Sequence, residues 1–185
     1  MTLLENVLLY VAGALLLLVG RQRQQLQSQS QLATEQLKGS VDVVFGNEGD
    51  LTSATTAICN ELARAKQHII VMAYYLNNET VVTALRAAVE RNVTVELIVD
   101  GAAGHIDALQ ELMRWAPCWV DKTHKAAHNR FIIIDRAVVV TGELGFGSNA
   151  EEHGAAQLLV IRSPTVADQY IENWSFHAHH SQVTT

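Results

Sequence analysis

His128, Arg130 and Asp135 stand in the run His128-Asn129-Arg130-Phe131-Ile132-Ile133-Ile134-Asp135, which sets an imidazole, a guanidinium and a carboxylate at spacings of two and five. The apolar run Phe131 to Ile134 reads as a strand, and side chains two apart in extended chain share a face. His128 and Arg130 can therefore reach one phosphate, the imidazole as nucleophile or proton carrier and the guanidinium as a permanent clamp. Asp135 falls at the turn with the opposite parity. It suits a structural partner better than a third group on the same phosphate. Just upstream, Lys122, His124 and Lys125 form a small basic cluster that could receive phosphate or line a solvated loop.

The elements that must position these groups follow from hydrophobic periodicity. Val41 to Gly46 predicts a short strand, and Asp50 can cap a helix whose apolar residues Ala54, Ile58, Leu62 and Ala65 share a face. His68 to Tyr75 predicts a buried strand, Asn78 caps a second helix with Val82, Leu85 and Val89 on its apolar face, and Asn92 to Asp100 is another strand. A third helix is expected over Gly104 to Trp115, stopped by Pro117 ahead of a short strand, Cys118 to Val120. Phe131 to Ile134 and Ala137 to Thr141 read as a hairpin joined at Asp135-Arg136. Gly142 to Gly154 is a glycine-rich loop and Gln157 to Ile161 a strand. Ser163-Pro164 opens a last helix running through Trp174. Strands alternating with helices and then a hairpin define an α/β protein, a mixed β-sheet covered by helices on both faces.

Composition narrows the classes further. The 185 residues make one domain plus an extra segment, and 49% hydrophobic against 17% charged residues supplies a core. A net charge of −6 disfavours a polyanion binder held by bulk charge. Cys59 and Cys118 form no CxxC pair, so neither a disulfide scaffold nor a cysteine zinc site is indicated. His177, His179 and His180 are placed in a tail beyond the last helix with no acidic partner close in sequence, so no metal site is expected there. Gly142 to Gly147 lacks the context of a nucleotide-binding loop.

The amino-terminal run Val7 to Gly20 carries no charge. Extended back to Leu3, it would cover about 27 Å as a helix, close to a bilayer core of roughly 30 Å. A single-pass membrane anchor is expected, with a cleaved signal peptide or a core helix fitting less well. Arg21 and Arg23 after the run place the globular part in the cytosol. The expected organisation is an anchor over 1–20, a glutamine-rich stalk over 21–40, a folded domain over 41–176 and a flexible tail over 177–185.

The run HNRFIIID resembles the H-x-K-x4-D signature of the phospholipase D superfamily, with arginine in the lysine position. The resemblance spans about Val41 to Trp174. It is to the small single-motif members, which include bacterial endonucleases and the mitochondrial cardiolipin hydrolase and among which an amino-terminal anchor also occurs. It implies an α/β/α sandwich and a catalytic set of His128, Arg130 and Asp135. Arg130, Lys125 and Glu143 are the residues expected at the substrate. Since one motif is present and the family's chemistry uses two histidines, the resemblance implies a homodimer. One His128 would form a phosphohistidine while the other protonates the leaving oxygen, with no metal or cofactor required. The substrate implied is a phospholipid or a single-stranded nucleic acid. Downstream, the chain departs from the family's TGS-x-N and Glu-Asn pattern: Glu143 replaces the serine, Gly145 the asparagine, and Ala156-Gln157 the Glu-Asn pair. Glu143 could stand in for the missing glutamate as the group that orients the histidine. The alternative is a fold that has lost catalysis and serves as a binding or scaffold module.

Overall fold

The long apolar runs become the middle strands of one eight-stranded sheet. The computed structural model describes residues 15, 17–28, 39–45, 52–74, 76, 78–100, 113–123, 129–142 and 157–183. They fall in two units, 1–38 and 39–185. In the second, the order is β1 (Ser40–Phe45), α1 (Thr52–Arg64), β2 (His68–Ala73), α2 (Glu79–Glu90), β3 (Thr94–Asp100), β4 (Cys118–Asp121), β5 (Phe131–Ile134), β6 (Val138–Gly142), β7 (Gln157–Arg162), α3 (Pro164–His180) and β8 (Gln182–Val183). The Asp50 cap, the third helix from Gly104 as far as residue 112, and the glycine-rich loop beyond Gly142 lie outside the described residues.

Across the sheet the strands run β1-β7-β6-β5-β2-β3-β4-β8. β2, β3 and β4 are parallel neighbours, and the remaining pairs are antiparallel. The helical connection through α2 permits the parallel β2–β3 pair, whereas the tight β5–β6 link requires an antiparallel one. That link bonds the Ala137 N–H to the Ile134 carbonyl at 3.0 Å, with positive φ at both Asp135 and Arg136. Positive φ at both central residues is the pattern of a hairpin turn whose twist matches its strands.

Period-two alternation sorts the core into two layers. Ile69, Val71, Leu97 and Ile132 face α1 and α2, packing with Ile58, Leu62, Val81 and Leu85. Ile70, Met72, Ile98, Phe131 and Ile133 face the other way, onto Ala167 and Trp174 of α3. Helices therefore cover both faces. Asn78 caps α2, its Oδ1 accepting from the Thr80 and Val81 N–H groups at 3.0 and 3.2 Å. The buried face of α2 is Val81, Leu85 and Ala88, so the expected Leu85 is in the core while Val82 and Val89 are only partly buried beside Val81 and Ala88. Asn92, in left-handed conformation at φ 65°, ends that helix turn, so β3 starts at Thr94 rather than Asn92.

Two expectations need correction. The single-pass anchor, and the cytosolic placement argued from it, is overturned: among the described residues no helix is long and apolar enough to cross a membrane. Of the first unit, residues 17–28 are helical, and from Arg21 onward that helix carries Arg23 and four glutamines, which ends its apolar stretch at Gly20. The last helix does not stop at Trp174 either. Its final turns reach His180, and β8 then pairs with β4, so His177 to Val183 are structured.

Candidate active site

A cavity of about 450 Å³ opens between the start of β5, the end of β6 and α3. Asn129, Arg130, Phe131, Thr141, Gly142, Gln169, Tyr170 and Asn173 line it. The two residues leading into β5 supply an amide and the cation, β6 supplies Thr141 and Gly142, and α3 supplies two more amides and the phenol. Arg130 is half-buried, and its carbonyl accepts the Thr141 hydroxyl at 2.9 Å, which ties the β5 and β6 ends together. Phe131 packs edge-on against Tyr170 at 5.0 Å, fixing the helix wall. A small cavity of mixed polar and apolar lining that carries a cation suits an anionic ester, whose oxygens a guanidinium fork can hold in two bonds.

Gly142 is required by the wall it forms. Its φ is +127°, and a Cβ there would collide with the Gln157 carbonyl of β7. No other residue lets β6 and β7 approach so closely at the cavity rim.

Asp135 sits at the opposite end of β5 from Arg130, five extended residues and about 17 Å further along the chain. Its carboxylate accepts three backbone N–H groups, Lys66 at 2.9 Å, Gln67 at 2.8 Å and His68 at 2.9 Å. Its own N–H donates to the His68 carbonyl at 2.8 Å. Burial alone pushes this carboxyl up, but the bonds from His68, Lys66 and Gln67, with the Lys66 charge, outweigh it and hold the group below the ordinary aspartate range. Asp135 thus clamps the α1–β2 link to the hairpin, and it does not share the cavity of its own Arg130. Of the other expected site residues, Lys125, His128 and Glu143 lie outside the described residues.

The tail histidines have an acidic neighbour after all. His177 Nδ1 lies 3.3 Å and His180 Nε2 3.5 Å from Oδ2 of Asp121, at the end of β4. The far ring nitrogen of His177 is 3.4 Å from the amide nitrogen of Asn129, a cavity residue. Sequence spacing concealed this, because 56 residues separate Asp121 from His177. The only available signal was the spacing of His177 and His180, which places both on one side of a helix.

The fold and the cavity define a phospholipase D-like α/β sandwich, and the comparisons agree. Residues 58–176 match the family described as "Cardiolipin synthase, PLD-like domain". The chain belongs to that phospholipase D-like family. It is 33% identical over 123 residues to a phospholipase D of Rickettsia felis, covering 65% of this chain and 62% of that protein. A phospholipase D of Rickettsia conorii is 32% identical over the same length. The chain spans less than two thirds of the length of these curated relatives. Among solved structures, Nuc of Salmonella typhimurium, a phospholipase D family member, aligns with a TM-score of 0.70 at 25% identity, over 80% of this chain and 99% of Nuc. A phosphatidylserine synthase of Haemophilus influenzae shares the fold at a TM-score of 0.64 and 16% identity, over 79% of this chain and 40% of its own.

Proposed function

We propose that the protein is a phosphodiesterase acting through a phosphohistidine, with a phospholipid ester as substrate. The observation that carries this reading is Arg130 on the wall of a cavity, two residues after His128 in a chain of the phospholipase D-like family. His128 attacks phosphorus as the bond to the leaving oxygen breaks. His128 of the partner subunit gives that oxygen its proton, then takes one from water, whose oxygen displaces the phosphorus from the first His128. Arg130 holds the non-bridging oxygens, and the charge that gathers on them in the transition state strengthens its grip. A homodimer supplies the second imidazole, and the scheme uses no metal. Relatives named phospholipase D and a net charge of −6 favour a phospholipid over a nucleic acid.

The test is hydrolysis of phosphatidyl esters in liposomes, beside a single-stranded oligonucleotide, with the full chain in chelator. Release of headgroup that disappears in His128→Ala supports the proposal, and oligonucleotide cleavage lost in the same variant reassigns the substrate. A second reading rests on Glu143 and Ala156, which replace the family's serine and glutamate: a module that binds without turnover. Under it neither substrate is consumed, and His128→Ala leaves binding unchanged.

A further inference from the structure

Asp121, His177 and His180 bring one carboxylate oxygen and two ring nitrogens within 4.8 Å of one another. We infer that these three side chains form a binding site for a divalent cation of the zinc class, which ties the end of α3 to β4. The argument begins with distance. Charge-assisted hydrogen bonds between an imidazole and a carboxylate run about 2.7–2.9 Å. Here both ring nitrogens converge on the same oxygen, Asp121 Oδ2, at 3.3 and 3.5 Å. Ligands held about 2.1 Å from one zinc ion at the tetrahedral angle stand about 3.4 Å apart. These two oxygen–nitrogen separations match edges of a coordination tetrahedron better than they match direct bonds, and the two ring nitrogens lie within 4.8 Å of each other, a gap that a small rotation of the partly exposed His180 ring narrows.

Chemistry and preorganisation point the same way. Asp121 is 1% exposed, and its buried charge requires positive charge beside it. Its other oxygen, Oδ1, accepts the Thr123 N–H at 2.9 Å, which orients Oδ2 toward the histidines. Hydrogen-bonded ligand carboxylates of this kind are the rule in metal sites. His177 and His180 occupy one side of the last turn of α3, and that turn is pinned. Ser181 Oγ donates to the His177 carbonyl at 2.8 Å, and Lys122 Nζ bonds Gln182 across the β4–β8 pair at 3.1 Å. Two imidazoles and a carboxylate with a fourth position for water suit zinc better than magnesium or calcium, which take all-oxygen sets. With the ion on Nδ1 of His177, the ring proton sits on Nε2. The Asn129 amide then turns its oxygen to accept that proton, so the ion fixes one wall residue of the cavity.

The test uses the untagged full chain, stripped with chelator and titrated with Zn²⁺ against a chromophoric chelator, and with Co²⁺ by visible absorption. The expected result is one equivalent bound and the intense d–d bands of four-coordinate cobalt. Saturating zinc should raise the unfolding midpoint by about 5–10 °C. His180→Ala and Asp121→Asn should each weaken zinc binding by more than about tenfold, since even loss of a group that merely supports a ligand costs that much, while His179→Ala on the exposed side of the same turn should not. Should Asp121→Asn fail to fold, His180→Ala decides, since that ring is partly exposed. No bound equivalent, six-coordinate cobalt, or affinity unchanged in His180→Ala overturns the inference.

Discussion

Replacing Asp135 separates a structural from a chemical role for the last residue of the motif. Three backbone N–H groups depend on its carboxylate, two of them, from Gln67 and His68, on Oδ1 and one, from Lys66, on Oδ2. A hydrogen bond to a charged group contributes about 1.5–3 kcal/mol. Water can reach this half-buried position and recover part of the loss, so Asp135→Ala should cost about 3 kcal/mol. At about 2–4 °C per kcal/mol for a chain of this size, the midpoint falls by about 6–12 °C. Asp135→Asn keeps the Oδ1 pair and turns a donor toward Lys66, so it should lose about half as much. Because the folded carboxyl lies below its unfolded value, the stability it confers is present above pH ~3.9 and is lost as pH falls through the lowered folded value. Urea unfolding followed by circular dichroism at neutral and acid pH measures both effects. A loss under about 0.5 kcal/mol in Asp135→Ala, within the range of ordinary surface changes, refutes the clamp. So does a gap from wild type that stays constant in acid. Turnover abolished in Asp135→Asn at full stability would instead make the group catalytic.

Arg130→Ala should lower kcat/KM by about 100-fold or more, the equivalent of one charge-assisted bond pair, with a midpoint within a few degrees of wild type; steady-state kinetics on a phosphodiester substrate checks this. Gly142→Ala combines forbidden φ with a collision against the Gln157 carbonyl, so it should cost more than about 2 kcal/mol in urea unfolding and close the cavity rim. Glu61, buried, receives two bonds from Arg162 at 2.8 and 2.9 Å and one from Arg64 at 2.7 Å, and the Arg162 bonds foremost hold its carboxyl below the usual glutamate range. Arg162→Met should therefore cost about 2–3 kcal/mol above pH ~4.3, with the difference shrinking in acid as Glu61 protonates, measured by urea titration at two pH values.

Local signals in the chain fix the elements they belong to, and partners brought from far along the chain leave no local trace. The hairpin, the Asn78 cap and the Ser163-Pro164 helix start depend on neighbours within a few residues, and each is where periodicity and turn chemistry put it. On α2, Leu85 is buried as its spacing predicts, but the half-buried Val82 and Val89 mimic the core stripe that Val81 and Ala88 form. The parity of Asp135 marks it as structural, yet its partners on the α1–β2 link lie up to 69 residues upstream, beyond the reach of any local pattern. The histidines of α3 looked like tail residues for the same reason: their carboxylate comes from β4. Length and charge make the amino-terminal apolar run look like an anchor followed by a glutamine-rich stalk, yet among the described residues the helix that carries its end is too short and too polar to span a membrane.

Strand order also dictates when the molecule can be completed. β1 is the first strand to leave a ribosome, yet its partner β7 is among the last, with Asp42 meeting Arg162 across 120 residues. Until that late segment emerges, Val41, Val43 and Phe45 have no strand to register against, and closing so wide a loop is slow. Nascent chains cut short of residue 157 would hold the β2–β3 centre and leave the first strand adrift, so proteolysis of arrested chains should release the amino-terminal end before any other.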